Sequence, residues 1–247
     1  MNRHPDTFER SRLLWGQEAI DILAKCRVAV FGVGGVGGYA TEMLARAGVG
    51  SLILIDRDVV AYSNINRQII ALQHTAGKPK VSLMAERVKA INPDCEVEEK
   101  YEFITAETDL SFLKACDFVV DAIDTVSAKL WIAQYCFENG IPEIAAMGCG
   151  NRLDPSKLFV GELFETSGCP LGRVMRKELR RRKVTSLTVV ASTEPPLTPL
   201  PANEPLGNRR QIPGSVPFVP STAGILLAHH VVTKLLEKHG VAGDRGE

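Results

Sequence analysis

Cysteine pairing is the first thing this sequence lacks. Its six cysteines (Cys26, Cys95, Cys116, Cys136, Cys149 and Cys169) form no C-x-x-C pair. That spacing argues against a disulfide framework and against a four-cysteine zinc site, and it fits reduced thiols in a cytoplasmic protein. The five histidines show no metal-ligand spacing. No apolar run approaches the ~18 residues a membrane span needs, so no membrane association is expected. Met1–Asp21 is polar and charged and carries no signal pattern. No single charge sign dominates either: Lys plus Arg and Asp plus Glu each total 29, a net charge of zero. Any nucleic-acid binding would therefore need a local basic patch. There is no internal repeat and no sign of a second core, and 247 residues suit one domain with extensions.

What is present in abundance is glycine, concentrated after one apolar run. In Val28-Ala-Val-Phe-Gly-Val-Gly-Gly-Val-Gly-Gly38 a strand-like segment ends in Gly32, Gly34, Gly35 and Gly37. A helical pattern follows over Tyr39–Ala47. Gly32, Gly34 and Gly37 satisfy G-x-G-x-x-G in a strand–turn–helix context. Glycine lets the backbone turn tightly and approach a ligand. The N–H groups that open the next helix lack intrahelical partners and attract phosphate. Ser51–Asp56 reads as the second strand of a βαβ unit, and Asp56, 19 residues beyond Gly37, takes the place of a ribose-binding carboxylate.

The next stretch goes beyond a plain dinucleotide fingerprint. Asp56-Arg-Asp58 is followed by Asn64-Ile-Asn-Arg67-Gln68, and Lys80 opens a predicted helix to Ile91. A cation in a helix's first turn opposes the dipole, and an anionic ligand would relieve it. Cys95–Phe103 reads as a third strand and Leu110–Ala115 as a short helix. Asp117–Asp124 reads as a fourth strand whose Asp121 and Asp124 are expected at the crevice of an open α/β sheet. Asp124 suits Mg²⁺ on a triphosphate, or alternatively an N-cap for the helix 127–138. Ile141–Met147 reads as a fifth strand, after which the alternation stops. Lys157–Phe164 and Ser186–Ala191 look like strands of a later, antiparallel addition. Glu194–Pro213, with six prolines, reads as an extended mobile loop. The helix Ala223–Glu237 and a tail close the chain.

Gly32-x-Gly34-Gly35-x-Gly37, Asp56-x-Asp58, Asn64-x-x-Arg67-Gln68, Lys80 and Asp124, in this order, resemble the adenylating domain of the ubiquitin-activating-enzyme-like (ThiF/MoeB/HesA) superfamily. The resemblance covers nearly the whole chain. Met147-Gly-Cys-Gly-Asn151, Arg173–Arg180, Ser192-Thr-Glu-Pro-Pro196 and Pro213–Ser221 look most like one branch, the tRNA threonylcarbamoyladenosine dehydratases. The resemblance implies a Rossmann-like α/β fold with a mostly parallel sheet, an N-terminal arm over about residues 1–25, and a homodimer. It implies ATP and Mg²⁺ as cofactors. ATP would be held by Gly32, Gly34, Gly35, Gly37, Asp56, Asp58, Asn64, Arg67, Gln68 and Lys80. Asp124 would position Mg²⁺, and Arg67, Lys80 and Asp124 would act in catalysis. Arg10 matches the arginine that relatives donate across the dimer to the neighbour's ATP, with Arg12 a competing candidate.

The implied reaction is ATP-dependent adenylation of the carboxylate of N6-threonylcarbamoyladenosine beside a tRNA anticodon, followed by cyclising dehydration. The basic segment Arg173, Arg176, Lys177, Arg180, Arg181, Arg182 and Lys183 is the candidate tRNA surface, against the alternative of a solvated helix face. Adenylation of a ubiquitin-like or sulfur-carrier protein, with that carrier as partner, stays open. So does an NAD-binding oxidoreductase, which the glycines and Asp56 fit but Arg67, Lys80 and Asp124 do not explain. Cys149 and Cys169 read as ordinary small residues.

Overall fold

The computed structural model describes residues 7–201 and 213–241. Its centre is a sheet of apolar strands: β1 (Arg27–Phe31), β2 (Ser51–Ile55), β3 (Glu96–Lys100), β4 (Phe118–Asp121), β5 (Glu143–Ala146), β6 (Leu158–Glu162) and β7 (Thr188–Ser192). They lie in the order β3-β2-β1-β4-β5-β7-β6. Val28 of β1 stands between Leu52 of β2 and Phe118 of β4, both parallel. Continuous apolar runs suit strands covered on both faces. Val28, Val30, Leu52 and Leu54 fill one side, and Ala29, Phe31, Ile53 and Ile55 fill the other.

The crossover helices are α3 (Gly37–Ala47), α4 (Lys80–Ile91) and α5 (Val126–Asn139). Ahead of the sheet stand α1 (Glu9–Trp15) and α2 (Gln17–Leu23), and after it come α6 (Pro170–Arg181) and α7 (Phe218–Lys238). Helix α3 ends on Gly48 and α5 on Gly140, both left-handed, a conformation that caps a helix cheaply only with glycine. Helix α7 lies against the start of α3 at Gly224, where an added Cβ would stand 2.3 Å from the Val36 carbonyl oxygen. Between α3 and α4, the carboxylate of Glu42 is buried and receives Arg46 and Arg87. Burial alone would raise its pKa. The hydrogen bonds from Arg87 and Arg46 outweigh burial and hold it below the ordinary carboxylate value.

Several expectations change. The antiparallel addition is confined to the β6–β7 pair, because β7 itself joins β5 in parallel. The third strand is shorter than Cys95–Phe103, and Phe103 lies beyond it. Helix α7 begins at Phe218, ahead of the expected start at Ala223, with Pro217 as its N-cap residue. The middle of the proline-rich loop, Ala202–Ile212, and the tail beyond Val241 lie outside the described residues, as do Arg209 and Arg210. No helix among the described residues is long and apolar enough to cross a membrane.

Candidate nucleotide site

A cavity of about 550 Å³ opens at the C-terminal ends of β1 and β4, where strand order reverses. This is the crevice in which open α/β sheets bind ligands. Gly32, Gly34, Gly35, Asp56, Asp58, Asn64, Arg67, Gln68, Lys80 and Asp124 all line it. The connections after β1, β2 and β4, with the first residue of α4, thus bring together nearly the whole candidate set.

The glycines divide into two roles. Gly32 has φ +82°, and a Cβ there would lie 2.8 Å from the Ala122 carbonyl oxygen. Gly34 and Gly35 face the cavity. Gly37 does not line it. A Cβ on Gly37 would fall 1.7 Å from the Gly32 carbonyl oxygen, so this glycine permits α3 to pack on the turn. Gly37 thus has a packing role at the first residue of α3.

Asp56 stands at the end of β2 and is already engaged with the backbone. Its Oδ2 accepts the Val33 N–H at 2.7 Å and its Oδ1 accepts the Asp58 N–H at 2.8 Å. These bonds lock the carboxylate against the glycine turn. Burial raises its pKa, with the charge of Lys80 opposing the rise.

Residues 58–60 run beside residues 77–80: Val60 N–H donates to the Lys78 carbonyl and Lys80 N–H to the Asp58 carbonyl. That pairing delivers the first residue of α4 to the cavity. Lys80 is buried, and its ammonium meets Asp58 Oδ2 at 2.8 Å. Asp58 thus answers part of the helix-dipole conflict, and Lys80 does not reach out to water. Asn64 Oδ1 accepts the Ala61 N–H, and Arg67 Nη1 donates to the Ser63 carbonyl and to Asn66 Oδ1. Gln68 is buried, and its Oε1 has no hydrogen-bond partner among the described residues. A buried amide oxygen of this kind costs stability unless a donor arrives.

The two aspartates of β4 part company. Asp124 is exposed at the cavity floor. It does not cap α5, whose N-cap residue is Thr125. Asp121, expected at the crevice, is instead fully buried beneath α5 and paired with Lys129 at 2.8 Å. Among the described residues no group of three His, Cys, Asp or Glu could hold a metal ion alone. Asp56 and Asp58 are engaged with the backbone and with Lys80, and the Asp124 carboxylate on the cavity wall fits Mg²⁺, which takes one or two carboxylates and draws its other oxygens from phosphate and water.

Other wall residues were not legible as such. The Arg57 guanidinium stacks over the Phe103 ring at 3.9 Å, and both face the cavity. Cys149 and Gly150 enter from beyond β5, and Pro213–Ser215 return from the far end of the proline-rich loop. Asn151 clasps that return: its Oδ1 accepts the Gly214 N–H at 2.7 Å, and its carbonyl accepts the Leu197 N–H at 2.8 Å. The burial of Cys149 pushes its thiol up to about 11. Cys169 caps α6 away from the cavity. Burial opposes ionisation there, but hydrogen bonds from the Gly172 and Gly148 N–H groups and from Arg152 outweigh it and lower the pKa.

Two candidate groups lie outside the cavity. Arg10 is exposed on α1 and does not line it. The basic helix α6 presents Arg173, Lys177, Arg180, Arg181 and the following Lys183 to solvent. Arg176 is tied to Thr166 Oγ1 at 2.7 Å, and Arg182 to Gln134 Oε1 at 2.8 Å.

A doubly wound sheet with a glycine turn, a ribose-side carboxylate and a Lys–Arg–Asp cluster around one cavity defines a nucleotide-binding α/β protein. The chain belongs to the ThiF family, whose model matches residues 8–244. It is similar to the tRNA threonylcarbamoyladenosine dehydratase of Bacillus subtilis (strain 168), 39% identical over 240 residues, spanning 93% of this chain and 94% of the relative. Its fold matches crystal structures of Escherichia coli tRNA N6-threonylcarbamoyladenosine dehydratase, TcdA. The complex with AMP has a TM-score of 0.87 at 32% identity, and the complex with ATP 0.86 at 33%. Each match covers 95% of both chains.

Proposed function

We propose that this chain is an ATP-dependent dehydratase of N6-threonylcarbamoyladenosine in tRNA. The observation that carries the reading is the convergence of Lys80, Arg67, Gln68 and Asp124 on one cavity with the glycine turn, in a chain similar over nearly its full length to dehydratases of that name.

In this reading the substrate carboxylate attacks the α-phosphorus of ATP, and the bond to pyrophosphate breaks. Lys80 and Arg67 neutralise charge as it gathers on the leaving pyrophosphate. Preorganised cations aimed at developing charge are usually the largest catalytic contribution. Gln68 Oε1 is an acceptor awaiting a donor on the bound nucleotide. Asp56 holds the ribose edge, and the backbone at Gly34 and Gly35 faces the phosphates. Asp124 would hold Mg²⁺, which when bound screens the phosphate oxygens. The carbamoyl group of the same side chain then attacks the activated carbonyl, loses a proton and expels AMP, closing a ring. The substrate oxygen leaves with AMP, so the net change is loss of water. The nucleophile is tethered, and effective molarity drives this step without a protein nucleophile.

The outward cations of α6 would hold tRNA phosphates while the modified base enters the cavity from a flexible anticodon loop. In the homodimer of this reading, exposed Arg10 of one protomer reaches its partner's ATP. The decisive experiment incubates the protein with ATP, Mg²⁺ and tRNA carrying threonylcarbamoyladenosine, then digests the RNA. Mass spectrometry should show loss of one water from the nucleoside. Unchanged nucleoside, with ATP consumed only when a small carrier protein is added, would replace the reading by carrier activation.

A further inference from the structure

Beneath the cavity lies a group of buried charges that the chemistry above does not use. Lys129, on the second turn of α5, is fully buried, and its Nζ stands 2.8 Å from Asp121 Oδ2 at the end of β4. The other oxygen, Oδ1, accepts the Ile123 N–H at 3.2 Å. Between Asp121 and α5 the chain passes through Ala122, Ile123, Asp124 and Thr125, all four of which line the cavity. Ala122 is held from the other side, its N–H donating to the Phe31 carbonyl and its own carbonyl lying against Gly32.

We propose that the Asp121–Lys129 pair positions the turn 122–125, and through it the carboxylate of Asp124, for nucleotide activation. The proposal rests on the role given to Asp124 above. A buried ion pair is weak evidence for stability, since desolvation offsets its attraction. What it supplies is direction. Lys129 draws one carboxylate oxygen by charge, without hydrogen-bond geometry, and the other accepts the Ile123 N–H. Helix α5 and strand β4 are thereby joined across the turn that carries Asp124. Glu143 of β5 lies in the same buried group: burial and the Asp121 charge raise its pKa well above the ordinary carboxylate value, and burial raises that of Asp121 too, with the Lys129 charge opposing both.

Two double variants separate orientation from packing. D121L/K129M replaces the pair by apolar side chains, a change buried ion pairs often tolerate in stability. It removes the acceptor of the Ile123 N–H. D121N/K129M also removes both charges but keeps an acceptor. The expected result is a folded D121L/K129M whose kcat falls about tenfold or more, with KM for tRNA unchanged, and a D121N/K129M that regains part of the loss. A folded D121L/K129M with the parent's kcat would overturn the proposal. Amide-resolved hydrogen exchange on the unaltered protein decides the matter should neither variant fold. The Ile123 amide should be protected without nucleotide, and exchange there as fast as in open chain would also overturn it. Asp124→Asn is measured alongside. Full activity in that variant sinks the role of Asp124 itself, whereas the exchange result reads the turn alone.

Discussion

The two ends of the sheet solve different problems. From β1 to β4 the chain alternates strand and helix, and the candidate site sits on the connections at the strand ends, short after β1 and β4 and long after β2. The segment Asp56–Lys80 carries most of the phosphate cluster, held by short backbone pairings such as Lys80 N–H to the Asp58 carbonyl. Beyond β5 the alternation fails. There β6 reverses direction, α6 turns its apolar row of Met175 and Leu179 inward, and its cations face outward. In the proposed reading the first region holds the small ligand and the second, with its outward cations, the large polyanion, so that one domain separates chemistry from substrate capture.

Breaking the first region at its narrowest point should have the largest effect. Gly37→Ala sets a Cβ against the Gly32 carbonyl oxygen, and α3 cannot stay on the sheet. The expected outcome is little or no soluble folded protein, read by expression yield and circular dichroism. A folded, active variant would show that the turn yields more than its contacts suggest.

Lys80→Ala and Asp124→Ala should keep the fold but lower turnover by roughly two orders of magnitude, as removal of one preorganised charge does elsewhere. Single-turnover assays with ATP and modified tRNA check this. Normal rates in both would move the chemistry away from this cavity.

Reversing Arg173, Lys177 and Arg181 to Glu probes the second region. These three are exposed, Arg181 pairing only with Glu178 on its own helix, whereas Arg176 and Arg182 also tie α6 to neighbouring elements. Weakening of tRNA binding by about tenfold and a flatter salt dependence are expected, with ATP binding unchanged. Equal affinity at equal ionic strength would make α6 a solvated face and place the RNA elsewhere.

The smallest effect should come from Glu42, which braces the first region without touching the cavity. Glu42→Gln should cost about 1 kcal/mol at neutral pH, read by denaturant unfolding. The sign follows from the depressed pKa of the folded state. The Glu42 contribution is complete above the ordinary carboxylate value and disappears as pH falls through the folded-state value. Parent and variant should therefore converge in stability in acid. A constant difference down to the lowest pH at which the protein folds would show that Glu42 acts by packing alone.

Reading the chain alone was enough for the βαβ unit, the glycine turn and the aspartate that ends β2 at the cavity, because these depend on neighbours in sequence. A strand two-sidedly buried must be apolar throughout, and a turn that meets a helix closely must be glycine. Val28–Phe31 and Gly32–Gly37 show both rules directly. The order of Asn64, Arg67, Lys80 and Asp124 was legible for the same reason, each following a strand end or opening a helix.

Tertiary structure alone decided which of two similar carboxylates reached the cavity. Asp121 and Asp124 stand three residues apart, yet Asp121, the last residue of β4, is buried beside Lys129 of α5, while Asp124, past the strand's end, lines the cavity. It also made Gly37 a packing residue, brought Phe103 and Pro213–Ser215 into the wall, and sorted the cations of α6 into tied and free-facing ones. Local pattern fixes which atoms a residue carries and which way its backbone runs. What those atoms meet depends on elements far away in the chain, and no spacing rule encodes those distances.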